Sequence, residues 1–376
     1  MSLFIKPILL AVVGLIALIP FMTESERFMN EVSVNRELVK QVETDSIRYD
    51  LWLLKAENER PVQYMAEIFT PVCYSDKCYP VFIDFYWDLL GNFQHYEMPP
   101  GKTLTKLDHI LFEPEDYQKM QRILANTSSL LKDFKAEDLV VSTESDLPYG
   151  VDAVTGATSK TIQNEVISGA VYSCYTLWHL ANGEISAQIK AYTEKNYDDS
   201  LIISFLQSSN YHYQYWAIEN VLTSGRWDEE NFKTPLLNIL RGNNVFVAEH
   251  VLEIVPKSVW EETKQQEWLW ETYLMSSYRL QLKILEKFRQ LKLVTSLHHS
   301  VITQLEKSNQ EQKKRIFLVL SNHSNLTKES QQALIPYLDD NRWGQEARAV
   351  LSFQKKLDKT VKKEIDQSRT TPNRKN

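Results

Sequence analysis

An α+β domain followed by an all-helical repeat domain, both behind an N-terminal apolar segment, is the architecture this chain predicts. Three observations predict it. Two runs rich in β-branched and aromatic residues, 64–72 and 79–88, lie between turn signals in the first quarter of the chain. Of the 10 glycines, six fall between Gly91 and Gly183, and only Gly225, Gly242 and Gly344 follow them. A long stretch nearly free of glycine suits helices, where each glycine costs about 1 kcal/mol relative to alanine. Finally, beyond residue 197 a leucine followed by a polar turn recurs at near-constant spacing.

From the N-terminus, residues 7–22 form one apolar run preceded by Lys6, which Leu3, Phe4 and Ile5 extend. That length approaches the roughly 20 apolar residues a bilayer span requires. We read residues 1–23 as a retained membrane anchor, with Lys6 cytoplasmic and the remainder outside; a secretory signal is the alternative. Against cleavage, no small-x-small site follows the run, and no Cys follows that would carry a lipid. The expected location is the bacterial inner membrane with the soluble part in the periplasm, or, if the segment is cleaved, secretion to the periplasm. Residues 24–44 read as a charged linker, 45–185 as the α+β domain, 195–357 as the helical repeats and 358–376 as a basic, solvated tail. The net charge of −7 and the lack of any other basic stretch exclude a nucleic-acid binder.

Within the α+β domain, Leu89-Leu90-Gly91-Asn92 is a turn signal, and residues 93–96 resume a strand. Pro99-Pro100-Gly101 breaks the chain. Pro114 opens a helix running to about Leu124, with Glu113 and Glu115 at its positive end. A second helical piece reaches Phe134, a short strand covers 139–142, and Leu147-Pro148-Tyr149-Gly150 turns the chain. From Ser159 the spacing of Ile162, Val166, Ala170, Cys174 and Leu177 predicts one long helix ending at Asn182-Gly183.

Of the three cysteines, Cys73 and Cys78 bracket a short turn between strand-like runs, which suits a hairpin disulfide in an oxidising compartment. A redox-active dithiol is the rival, although the pair lacks the CxxC at a helix start that lowers a thiol pKa. Two thiols alone make a poor zinc site. Cys174 reads as a small core residue.

In the C-terminal half, Leu206, Leu240, Leu274, Leu305 and Leu338 each precede a polar turn, at intervals of 34, 34, 31 and 33 by subtraction of residue numbers. Each turn precedes a second apolar-periodic helix, such as the one holding Val247, Ala248, Val251 and Leu252. A helix pair at this period indicates an α-solenoid of degenerate HEAT type; an irregular bundle is the alternative.

The chemistry-bearing stretch is Asp152-Ala153-Val154-Thr155-Gly156-Ala157-Thr158. It resembles the flavinylation motif of FMN-binding domains, an acidic residue followed by Ser/Thr-Gly-Ala-Thr. Such domains occur in the C and G subunits of the sodium-pumping NADH:quinone oxidoreductase and Rnf complexes and in the nitrous-oxide-reductase regulator family. The resemblance covers about residues 49–183 and implies an α+β FMN-binding domain. It also implies that an FAD-dependent flavin transferase places FMN on Thr158 as a phosphoester, with Asp152, Thr155, Gly156 and Ala157 as the matching recognition residues. A membrane redox partner is implied as well. The residue types are apt by themselves. Gly156 and Ala157 leave no bulk beside the hydroxyl, a helix starting near Ser159 would favour the phosphate, and Lys160 would add a positive charge. Tyr149, Trp87 and Tyr86 are candidates for a wall against the isoalloxazine, and each also suits a hydrophobic core. The competing reading makes Thr155 and Thr158 helix caps with Asp152 bracing the turn. The chain would then be a non-enzymatic scaffold, a degenerate FMN-binding-like domain joined to a partner-binding helical array. Asp88 and the Asp108-His109 pair read as turn and surface residues. No residue is assigned a catalytic or metal-binding role.

Overall fold

Five antiparallel strands form a sheet in sequence order: β1 (Asn35–Glu43), β2 (Arg48–Lys55), β3 (Pro61–Thr70), β4 (Val81–Trp87) and β5 (Phe93–Glu97). The computed structural model describes residues 35–44, 47–72, 79–141, 157–158 and 162–370, with 157–158 described by their backbone. Successive side chains alternate faces along a strand, so register decides what meets. On the inner face Leu53 opposes Tyr64 and Tyr64 opposes Trp87, while Leu51, Ala66 and Phe85 form the next row. All six are buried.

Three helices complete this unit: α1 (Pro114–Ala125), α2 (Val171–Asn182) and α3 (Glu184–Asn196). Helix α1 opens at Pro114, as the sequence predicts, and Glu113 and Asp116 form a capping box there. Helix α2 buries Val171, Cys174, Leu177, Trp178 and Ala181. Helix α3 is mostly polar and buries Ile185, Ile189 and Thr193, one residue per turn. That narrow stripe suffices because hydrogen bonds tie α3 to the sheet. Tyr64 Oη lies 2.9 Å from Thr193 Oγ1, and the Thr193 hydroxyl donates to Leu89 O at 2.7 Å. Tyr49 Oη donates to Gln188 at 3.0 Å, and Tyr192 Oη to Glu37 at 2.8 Å.

Two expected boundaries are corrected. The segment assigned to a linker, 24–44, contributes β1, paired with β2 along its length. Its alternating charged residues disguise an edge strand, for which such charges are usual. The first compact unit extends to Asn196 rather than 185. Gly183 separates two helices of one domain instead of ending the domain; a Cβ there would lie 2.3 Å from His179 O.

The second unit begins at Tyr197, and its described residues are helical. Its elements pair as α4 (Asp199–Leu206) with α5 (Tyr211–Thr223), then α6 (Glu230–Asn238) with α7 (Val245–Ile254). After the short α8 (Lys257–Glu261) come α9 (Thr263–Met275) with α10 (Tyr278–Arg289), and α11 (Thr295–Thr303) with α12 (Gln310–Leu320). The series ends with α13 (Lys328–Gln332), α14 (Gly344–Ser352) and α15 (Lys359–Thr370). First helices contact first helices, α4 with α6, α9 with α11, α11 with α13 and α13 with α15. Second helices do likewise through α5, α7, α10, α12 and α14. Two rows of helices with nearest-neighbour contacts result. Among the marker leucines, Leu206, Leu240, Leu305 and Leu338 are buried where the first helix of a pair ends, but Leu274 is 52% exposed and Tyr273 fills the core beside it.

Among the described residues no helix is long and apolar enough to cross a membrane. The apolar run at 7–22 lies outside the described residues.

Candidate functional site

The candidate acceptor segment emerges from an anchored base. Strand β6 (Val140–Val141) pairs antiparallel with β7 (Ala157–Thr158), placing Thr158 opposite Val140. Just outside this ladder Leu139 and Ile162 are completely buried. Glu165, three residues beyond Ile162, accepts a hydrogen bond from the Ser129 hydroxyl and another from Leu130 N–H at 2.9 Å. Helix α2 holds the same stretch from its other side. His179 Nε2 lies 3.1 Å from Leu131 O, Trp178 Nε1 donates to Asn126 O at 2.9 Å, and Asn182 Nδ2 donates to Leu124 O at 2.9 Å. Burial keeps the His179 pKa below its ordinary value. Tyr149, Asp152, Thr155, Gly156, Ser159 and Lys160 lie outside the described residues, as do Cys73 and Cys78.

Thr158 belongs to a strand, and the long helix expected to run to Asn182 is not continuous: from Ile162 the described chain passes through a 3-10 turn, Gln163–Glu165, before helix α2. Helix α2 begins at Val171, and its N-cap is Ala170, which makes no side-chain capping bond. Two features delay it. Gly169 has φ +76°, a left-handed conformation suited to glycine. Its carbonyl is also taken by Leu107 N–H at 2.7 Å, outside any helical ladder. The five residues that suggested one helix face are all buried, but Ile162 and Val166 reach the core from the two ends of a short 3-10 turn, Gln163–Glu165, outside the α-helix. One reading is corrected: Ile162 to Ala170 do not belong to one long helix with α2, while residues 159–161 lie outside the described residues.

Two of the three aromatic candidates belong to the core. Trp87 is fully buried, edge-on to Phe85, and donates from Nε1 to Ala181 O at 2.6 Å. Tyr86 lies on the opposite sheet face, stacked on His95 at 4.3 Å and clustered with Leu54, Met65 and Trp52. Asp88 braces the turn as expected, accepting from Leu90 N and Asn92 N, each at 2.9 Å, but it is buried rather than on the surface. Asp108 and His109 both have positive φ in a tight turn, and the His109 ring is stacked on Tyr79 at 4.1 Å. Cys174 is buried, accepts from Ile167 N at 3.3 Å, and its thiol is pushed up to about 12 by burial, so it is inert.

The register also exposes a charge feature that motif reading passes over. On the outer sheet face Asp50 opposes Glu67, Glu67 opposes Asp84, and Asp84 opposes Glu97, a row of carboxylates across four strands. Arg36 donates to Glu67 at 3.0 Å and Gln41 to Asp50 at 3.1 Å. Burial, with Glu67 and Glu97 beside it, pushes Asp84 up to about 6. The signal was present in the sequence, because Asp50, Glu67 and Asp84 recur at equal spacing on successive strands. Among the described residues no three His, Cys, Asp or Glu side chains gather to hold a metal ion. Comparison of the chain with family models, with curated proteins and with solved structures finds no match in any of the three.

Proposed function

We propose that this chain is a membrane-associated, extracytoplasmic electron-transfer flavoprotein that carries FMN covalently on Thr158. The stretch from Asp152 to Thr158 carries the reading, since it matches the flavinylation pattern at each constrained position. The anchored β6–β7 base supports it: the backbone of the acceptor residue lies in a strand paired with Val140–Val141. FMN supplies one- and two-electron redox chemistry when bound. The chain's own contribution is the ester. Thr158 Oγ forms a bond to the phosphorus of the FMN half of FAD, the hydroxyl proton leaves, and the pyrophosphate bond breaks with release of AMP. A flavin transferase provides the machinery for this step. Covalent attachment prevents loss of the cofactor outside the cytoplasm. Tyr149 is the remaining aromatic candidate for the ring, since Tyr86 and Trp87 are spent in the core. The helical unit, read as HEAT-like repeats, supplies the docking arm for a membrane redox partner.

Co-expression with a flavin transferase followed by mass spectrometry of the intact protein tests this. The expected result is an added FMN mass that Thr158→Ala abolishes; an unmodified wild-type chain rejects the proposal. A second reading, a scaffold with a retired FMN-binding-like domain, is favoured by one observation: helix α2 begins only at Val171, well beyond Thr158. On that reading Thr158→Ala keeps every partner and phenotype.

A further inference from the structure

Of three successive joints of the helical unit, two are built alike and the one between them departs from the rule. The fourth residue of α9 is Gln266, which donates to Lys292 O at 3.0 Å and accepts from Val294 N at 2.9 Å. The fourth residue of α13 is Gln331, which donates to Lys356 O at 2.9 Å and to Leu326 O at 3.0 Å, and accepts from Asp358 N at 2.9 Å. A side-chain amide carries both donor and acceptor, so one glutamine clamps the connector that enters the next helix pair.

Between these two, the fourth residue of α11 is His298. Its Nε2 lies 3.3 Å from Leu293 O, five residues upstream, as Leu326 is from Gln331. The downstream clamp is missing: His298 Nδ1 is buried without a hydrogen-bond partner. The residue 25 positions on, by subtraction, is the counterpart of Lys356, and it is His323. The two rings lie 5.5 Å apart, both side chains are more than nine-tenths buried, and His323 Nε2 also has no hydrogen-bond partner. Gln354 holds the connector instead, donating to His323 O and accepting from Leu326 N, both at 2.7 Å.

We infer that the joint between the α11–α12 pair and α13 is a proton-triggered hinge, in which His298 and His323 replace the glutamine clamp of the joints on either side. Two imidazoles fall short of a closed metal shell, so the ligand this pair is built to read is the proton. Apart from the Leu293 carbonyl at His298 Nε2, no group of opposite charge among the described residues acts on either ring. Lys292 from the preceding connector and His298 from α11 act on His323, and Gln331 from α13 and Gln354 beyond α14 are neutral. Burial, then His298, then Lys292 hold His323 down to about 4, and burial lowers His298 as well. For a base whose folded value is depressed, stability is complete above the unfolded value of 6.5 and is lost as pH falls from there toward about 4. Each ring steepens the opening equilibrium by up to about tenfold per pH unit, and the pair by up to about a hundredfold.

Hydrogen exchange of the full-length protein, corrected for intrinsic rates, at about pH 7 and about pH 5 reads this directly. We expect the opening constant of the 321–327 connector and α13 to rise at least about tenfold on acidification, while α9 and its Gln266-clamped connector change little. His298→Gln, which restores the clamp, is expected to remove that rise. Equal protection at both pH values in the wild type, or an unchanged acid response in His298→Gln, overturns the inference. Should His298→Gln not fold, Gln331→His carries the converse expectation: acid sensitivity appears at the 353–358 connector, and its absence there is equally fatal.

Discussion

At Gly91 one residue decides whether a helix can lie on the sheet. Its φ is +80°, and a Cβ built there would lie 2.5 Å from Ser186 O, in the helix whose Ser186 hydroxyl donates to Gly91 O at 2.6 Å. Gly91→Ala therefore meets both a strained backbone and a main-chain clash, and neither partner is a flexible side-chain end. We expect a loss of about 2–4 kcal/mol, read as a lower urea midpoint with the slope unchanged. The turn itself was legible, because Asp88, Gly91 and Asn92 are turn chemistry wherever they occur. Its closeness to α3 was not, since the contact spans 95 positions. Cys174 shows the opposite: a small apolar side chain on an apolar stripe reads as core, and its position is core.

Strands and helices were legible where one local signal dominated. Runs of β-branched and aromatic residues marked β3, β4 and β5, and Pro114 after an acidic cap marked α1. Reading failed where two signals competed. The four-residue spacing of Ile162, Val166, Ala170 and Cys174 fits a helix, yet Gly169 and the bond to Leu107 delay its start to Val171. Strand β1 was missed because its identity rests on pairing with β2, not on its own apolar content. The carboxylate row is likewise a property of elements in register. Like charges directly opposite one another destabilise a sheet. A carboxyl raised to about 6 adds stability below its unfolded value of 3.8 that is lost as pH rises through about 6. Asp84→Asn should therefore stabilise the protein near neutral pH by about 1 kcal/mol, discounted for the group's partial exposure, and have little effect near pH 4. Denaturant titrations of both forms across that range measure it; equal midpoints near pH 7 contradict it.

The two-unit division of the whole molecule was visible from glycine placement and leucine spacing alone, because a repeat announces itself by period rather than by any single residue. The one misplaced marker, Leu274, missed by a single position, since Tyr273 and Leu274 are both apolar and only packing distinguishes them. The candidate acceptor site was legible only as a motif, and its surroundings are set by partners distant in sequence, such as Glu165 with Ser129. In a stacked array each helix pair is stabilised by its neighbours, so the last element closes the row. Helix α15 does this with Val361 and Ile365, both buried, against α13. Val361→Ala should cost about 2 kcal/mol and, by hydrogen exchange, lower protection in α13 to α15 while leaving α4 to α7 unaffected. A uniform loss across the unit would show that it unfolds as one block.

The two-residue ladder joining Val140–Val141 to Ala157–Thr158 has a kinetic consequence. If FMN is carried on Thr158 as proposed, it is mounted on a paired strand like a fixed electrode, not swung on a lanyard. Its range would be set by the length of its own ribityl chain. Turnover would then be governed by how fast a partner arrives and leaves, and lengthening the 142–156 segment should leave electron-transfer rates nearly unchanged.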